Sequence, residues 1–190
     1  MTVDPVVEHL EALREDLAYH QIRVLLLVNA VAATEGHSKK IDGLTKLAKL
    51  DFLTRYPALG PLVLDKLSPS DARLHIDETD GLTPTDVEAP MTRYKYGPWD
   101  DRYYPIIGSL VGRGLLKYVR GRKGSVALTP TALGKKTALE MGSLPDWSLI
   151  NDRCYAVADG AAGLNGSALK NLIYSNLPAL MDRPHRKLIK

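Results

Sequence analysis

Apolar residues recur at helical spacing from Val6 to about Thr34, at Val6, Leu10, Leu13 and Leu17 and then at Ile22, Leu25, Leu26 and Val28. That period predicts one long helix or two abutting helices, and Gly36 stands where a glycine commonly follows a helix C-terminus. A second helix is expected next, capped by Asp42 or Thr45, with Leu44, Leu47, Leu50 and Phe52 or Leu53 as its apolar positions and Pro57 as its stop. Its bases Lys46, Lys49 and Arg55 are free, on this pattern, to face solvent or a partner. Regularity lapses from Gly60 to Pro90, where prolines stand at 61, 69, 84 and 90. A loop or insertion with one short helix is expected there, and a connection of that length is usually functional or mobile.

Periodicity returns at Met91. Alternating Tyr94 and Tyr96 predict an extended segment ended by Gly97 and Pro98. Asp100 or Asp101 then caps a helix running from Asp101 to Arg113, with Pro105 in or near its first turn and Ile106, Ile107, Leu110 and Val111 as its apolar face. Leu115 to Thr129 reads as two short strands joined by the glycine-bounded polar turn Gly121 to Gly124. Thr129 caps the next helix with Pro130 at its first position, and two more helices are expected over Pro145 to Ala158 and Asn165 to Leu177. Helix, tight glycine, hairpin with a basic tip, helix is the order of a winged helix. The fold expected is therefore mainly α with a small β-hairpin wing: a winged helix-turn-helix core with N- and C-terminal helical extensions. Its divisions would be an N-terminal helical segment at 1–40, a core at 41–142 with an acidic insertion near 60–90, and C-terminal helices with a basic tail at 143–190.

Charge changes this picture more than composition does. The net charge is only +3, but from Arg102 to Leu139 the chain carries eight bases and no acid, whereas Asp65 to Glu88 carries seven acids against Lys66 and Arg73. The basic stretch should favour polyanions and the acidic one repel them. Cys154 is the single cysteine, which excludes an internal disulfide and a cysteine-built zinc site and fits a reducing compartment. No two of the five histidines share an i, i+4 spacing, so no metal site is expected. The N-terminus lacks the basic region of a secretory signal, and the apolar run Val24 to Ala33 is about half the roughly 20 residues of a membrane span. A cytoplasmic protein with no membrane partner is the expectation.

The candidate nucleic-acid contacts are Arg102, Arg113, Lys117, Arg120, Arg122 and Lys123, with Arg120, Arg122 and Lys123 at the wing tip, because phosphate contact comes from Lys and Arg on a projecting element. Between Arg102 and Arg113 the helix is poor in side chains that read base edges. Tyr94, Tyr96 and Trp99, with Tyr103 and Tyr104, either pack the wing and helix together or stack on bases, and Tyr94, Tyr96 and Trp99 are the candidate docking residues for a partner. Gly160, Gly163 and Gly166 superficially suggest a phosphate loop, but no Gly-Lys-Ser/Thr ending follows, and a connection capped by Asn165 or Ser167 explains them better. No catalytic constellation and no cofactor motif is evident.

The segments Ile41 to Pro57 and Met91 to Asp100, taken with the hairpin and Gly166 to Tyr174, resemble the winged-helix middle components of prokaryotic ABC-three-component systems. A Lys-Leu-x-Lys-Leu helix followed at a distance by a Tyr-Gly-Pro turn also resembles SocA-like antitoxin-type proteins. The first resemblance implies an SMC-like ATPase subunit as partner and a role in defence against phages or plasmids. Two functions follow as expectations: a non-catalytic accessory subunit that docks on such an ATPase and contacts duplex DNA without sequence preference, or a homodimeric winged-helix transcriptional regulator.

Overall fold

A computed structural model describes residues 12, 15–76, 91–182 and 184–189. The chain is mainly helical with a small antiparallel sheet and a separate two-stranded hairpin. Helix α1 (Leu17–Ala33) starts at Asp16, whose carboxylate accepts from the Ala18 amide at 2.8 Å. The part of the expected first helix before Glu15 lies outside the described residues, apart from residue 12. From Val24 to Val31 α1 is buried on every side, as a helix apolar all round must be. It packs against α4 (Tyr103–Gly112), α5 (Ala132–Gly142), α6 (Pro145–Gly160) and strand β5 (Val126–Pro130).

Strand β1 (Ile41–Asp42) leads into α2 (Leu44–Arg55) through Gly43, which has φ +81° and sits in the N-cap position with no side-chain cap. Neither expected cap, Asp42 or Thr45, serves: Asp42 is held in the sheet and Thr45 is already within the helix. The irregular stretch holds α3 (Gly60–Val63) and a 3-10 turn at Ala72–Leu74. Its beginning is tied to α6, since Arg153 donates to the Leu74 carbonyl at 2.7 Å and His75 meets Asp152 at 2.9 Å. Most of the acidic cluster, from Asp77 to Glu88, lies outside the described residues.

Strands β2 (Thr92–Tyr94) and β3 (Gly97–Trp99) form a hairpin, so Gly97 and Pro98 begin a second strand where the sequence suggests an end. α4 buries Tyr103, Ile106, Ile107 and Leu110, an i, i+3, i+4, i+7 face. Strand β4 (Leu116–Arg120) then pairs with β5 around the turn Gly121 to Gly124, in keeping with the alternation of strand formers and glycines. Sheet order is β1-β5-β4. Pro130 ends β5, and it is Thr131, two residues on from the expected cap Thr129, that caps α5 by accepting from the Gly134 amide at 2.9 Å. Helices α6, α7 (Gly166–Asn176) and the short α8 (Pro178–Met181) complete the chain. One hydrophobic cluster runs from Val24 through Leu53 and Leu110 to Ile173.

Inside that cluster lies a charged network. Asp51 on α2 accepts from Arg23 at 2.8 and 3.1 Å, from Arg55 at 3.0 Å and from the Tyr103 hydroxyl at 2.6 Å. Arg55 also reaches Asp100 at 2.8 Å, and Asp100 accepts from the Arg102 amide at 3.0 Å and guanidinium at 2.9 and 2.7 Å. Burial alone would raise both carboxyl groups. The adjacent guanidiniums overcome it and hold Asp51 and Asp100 well below the usual carboxylate range. The network joins α1, α2 and the start of α4.

Candidate nucleic-acid interface

The basic residues read from the sequence separate into distinct places. Arg102 belongs to the buried network, bound to Asp100 and 2.8 Å from His20 Nε2. Arg113 is exposed at the end of α4. Lys117 and Arg120 are both exposed on β4, but an odd spacing on a strand sends them to opposite faces. Arg122 and Lys123 turn toward a cleft of about 560 Å³. Of the aromatic candidates, Trp99 is only 8 % exposed, with Tyr94, Tyr103 and Tyr104 packed around it, and is a core residue. Tyr94 is exposed over it, and Tyr96 lines the cleft.

Five short segments build this cleft: Gly36 to Ser38; Asp42 at the end of β1 with Thr45, Lys46 and Lys49 at the start of α2; Tyr96 between β2 and β3; the tip of the β4–β5 hairpin; and the loop from Gly163 into α7, with Lys170. The tip is fastened in place. Asp42 accepts from the Arg122 amide at 3.1 Å, and Lys40 donates to the Arg120 carbonyl at 2.8 Å. Gly121 is needed here, because a Cβ on it would lie 2.4 Å from Ser125 Oγ and 2.9 Å from Asp42 Oδ1. On the far side the Gly163 amide donates to the Gly36 carbonyl at 3.1 Å, and Asn165 caps α7 by accepting from the Ser167 and Ala168 amides. The glycine-rich connection that lacks a phosphate-loop ending thus becomes a cleft wall.

Lys46, Lys49, Lys170, Arg122 and Lys123 line the cleft against one carboxylate among the described residues, Asp42. Contrary to the sequence pattern, Lys46, Lys49 and Arg55 do not sit freely in solvent: Arg55 is in the buried network, and Lys46 and Lys49 are 7 % and 2 % exposed. Burial, with Lys170 nearby, lowers Lys49 to about 8. Burial also lowers Lys46, against the pull of Asp42 and helped by Arg122. His37 is lowered by burial and by Lys46, although its ring contacts the Ala158 carbonyl at 2.8 Å. Depressed ammonium pKa values are the mark of positive charge held without enough compensation. Such a cleft favours an anion.

Comparison with protein-family models, curated proteins and solved structures finds no match.

Proposed function

We propose that the protein is a non-catalytic subunit that holds the phosphate backbone of nucleic acid at the hairpin tip and the adjoining cleft, without reading base sequence. The observation that carries this is the concentration of five cations against Asp42 in one cleft. Phosphate contacts of that kind supply affinity and position but no base information. The order α1, β1, α2, α4, β4, β5 with sheet order β1-β5-β4 supports a winged-helix core in which β4 and β5 are the wing and α4 takes the recognition position. The resemblance to the middle components of ABC-three-component systems supports an SMC-like ATPase as the assembly partner, in cytoplasmic defence against foreign DNA. The alternative of a dimeric operator-binding regulator is less favoured by α4, whose exposed positions include Tyr104, Pro105, Gly108 and Gly112, none of them suited to base-edge recognition.

Titration of the isotopically labelled protein with a short duplex, followed by amide NMR, tests the site. Shifts are expected at residues 36–46, 121–125 and 163–170 for unrelated duplex sequences alike. Shifts concentrated on α4, or dependent on one sequence, would overturn backbone binding in favour of a regulator.

No described helix is long and apolar enough to cross a membrane. The exposed Tyr94 and Tyr96 are the candidate docking residues for the proposed partner.

A further inference from the structure

The floor of the cleft differs from its rim. Arg122 and Lys123 are exposed on the rim, where a duplex ridge can touch them, whereas Lys46 and Lys49 lie beneath and are nearly out of water. The Lys46 ammonium has no hydrogen-bond or ion-pair partner among the described residues. Lys49 donates only to the Thr45 carbonyl, at 2.9 Å. A side chain this buried whose ammonium opens only onto the cleft, with no carboxylate bound to it, is held at a cost, and an anionic ligand in the cleft would offset that cost.

A second observation is independent of the lysines. α2 begins at Gly43 without a side-chain cap, and the amides of Leu44 and Thr45 have no protein acceptor among the described residues. Unsatisfied amides and the positive end of a 12-residue helix form an anion site. Thr45 lines the cleft together with Lys46. By contrast, the α7 end is closed to a ligand at the two amides that Asn165 already binds.

We propose that the cleft floor is a seat for a phosphomonoester dianion, held by Lys46, Lys49, Lys170 and the open first turn of α2. This rests on the backbone-binding role above and specifies what its deepest point receives. An internal phosphodiester carries one charge and is flanked by sugars on both sides, so it suits the rim. A terminal phosphate carries close to two charges at neutral pH and bears a single substituent, so it can enter end-on a cleft that both lysines line. The cleft volume also matches sites that hold a single small ligand, which run from about 300 to 1,000 Å³. The same chemistry is offered by the phosphorylated end of a strand and by a free nucleotide.

Fluorescence anisotropy on a short single strand separates these. A 5′-phosphorylated oligonucleotide should bind roughly tenfold or more tightly than its 5′-hydroxyl twin, the scale of one or two charge-assisted hydrogen bonds. Lys46→Met should abolish that ratio, while Arg122→Ala with Lys123→Ala should weaken both strands and preserve it. Should Lys46→Met fail to fold by circular dichroism, Lys170→Gln on the half-exposed side carries the same test. Competition by adenosine monophosphate as strong as by the phosphorylated strand assigns the seat to free nucleotides, and weak competition assigns it to strand ends. Equal binding of the two strands with no binding of adenosine monophosphate overturns the seat. Duplex binding that survives in that case leaves the backbone role standing. Binding of adenosine monophosphate that depends on Lys46, without any duplex binding, keeps the seat and removes the backbone role.

Discussion

Replacing Lys49 by Met should make the ligand-free protein more stable while weakening its hold on anions. The two side chains are close in volume, so the apolar stem stays packed beneath Gly97, whose missing Cβ would stand 3.8 Å from Lys49 Cε. Folding lowers the ammonium from the 10.5 of a free lysine to about 8, which at about 1.4 kcal/mol per pH unit costs about 3 kcal/mol near neutral pH. Met removes that cost and loses the bond to the Thr45 carbonyl, worth about 1 kcal/mol. The net expectation is a gain of about 2 kcal/mol at pH 7. Because the folded pKa lies below the unfolded one, the native state binds fewer protons between 8 and 10.5, and wild-type stability rises with pH across that window. The variant lacks this titration, so its advantage should shrink as pH climbs toward about 10. Urea unfolding followed by circular dichroism, at several pH values on both proteins, measures the difference. Loss of stability at neutral pH, or an offset that does not change with pH, would refute an uncompensated ammonium at Lys49.

Asp51→Asn should cost about 3–5 kcal/mol in the same assay, because it leaves Arg23 and Arg55 in the core without their shared carboxylate. Asp51 and Asp100 titrate below their unfolded values, so the stability they contribute is fully present above about pH 4 and is lost as pH falls beneath it; an acid titration of the wild-type and Asp51→Asn proteins should show a smaller acid loss in the variant. Gly134→Ala should destabilise by about 1–3 kcal/mol, since a Cβ there would lie 1.9 Å from the Leu115 carbonyl oxygen and push α5 away from the backbone that enters β4; a melting temperature equal to wild type would show that α5 does not pack against Leu115.

The elements legible in the sequence are those set by local chemistry. Tyr118, Val119 and Val126 around Gly121 and Gly124 specify a hairpin without tertiary help, and the i, i+3, i+4 pattern of Ile106, Ile107 and Leu110 specifies α4. Boundaries move where a neighbour competes. Thr129 has the chemistry of a cap, but it sits in β5 opposite Lys117, and its hydroxyl donates to the Lys39 carbonyl at 2.9 Å. The cleft is legible only in part. Arg122 and Lys123 announce themselves as a charged turn, but Lys46 and Lys49 look like a solvated helix face because lysine is almost never buried unpaired. Their burial depends on α7, more than a hundred residues along the chain, whose Gly166 would carry a Cβ 3.6 Å from that of Lys46. Arg55 escapes the sequence pattern for the same reason: its partners, Asp51 and Asp100, include one 45 residues away.

The salt dependence of duplex binding tests the central claim most directly. Affinity of the wild-type protein for two unrelated duplexes should fall linearly with the logarithm of salt concentration and with one common slope. Arg122→Ala with Lys123→Ala should reduce that slope by about 1.8, or about 0.9 for each phosphate no longer neutralised, equally for both duplexes. An unchanged slope, or a weakening confined to one sequence, would contradict phosphate binding at the hairpin tip.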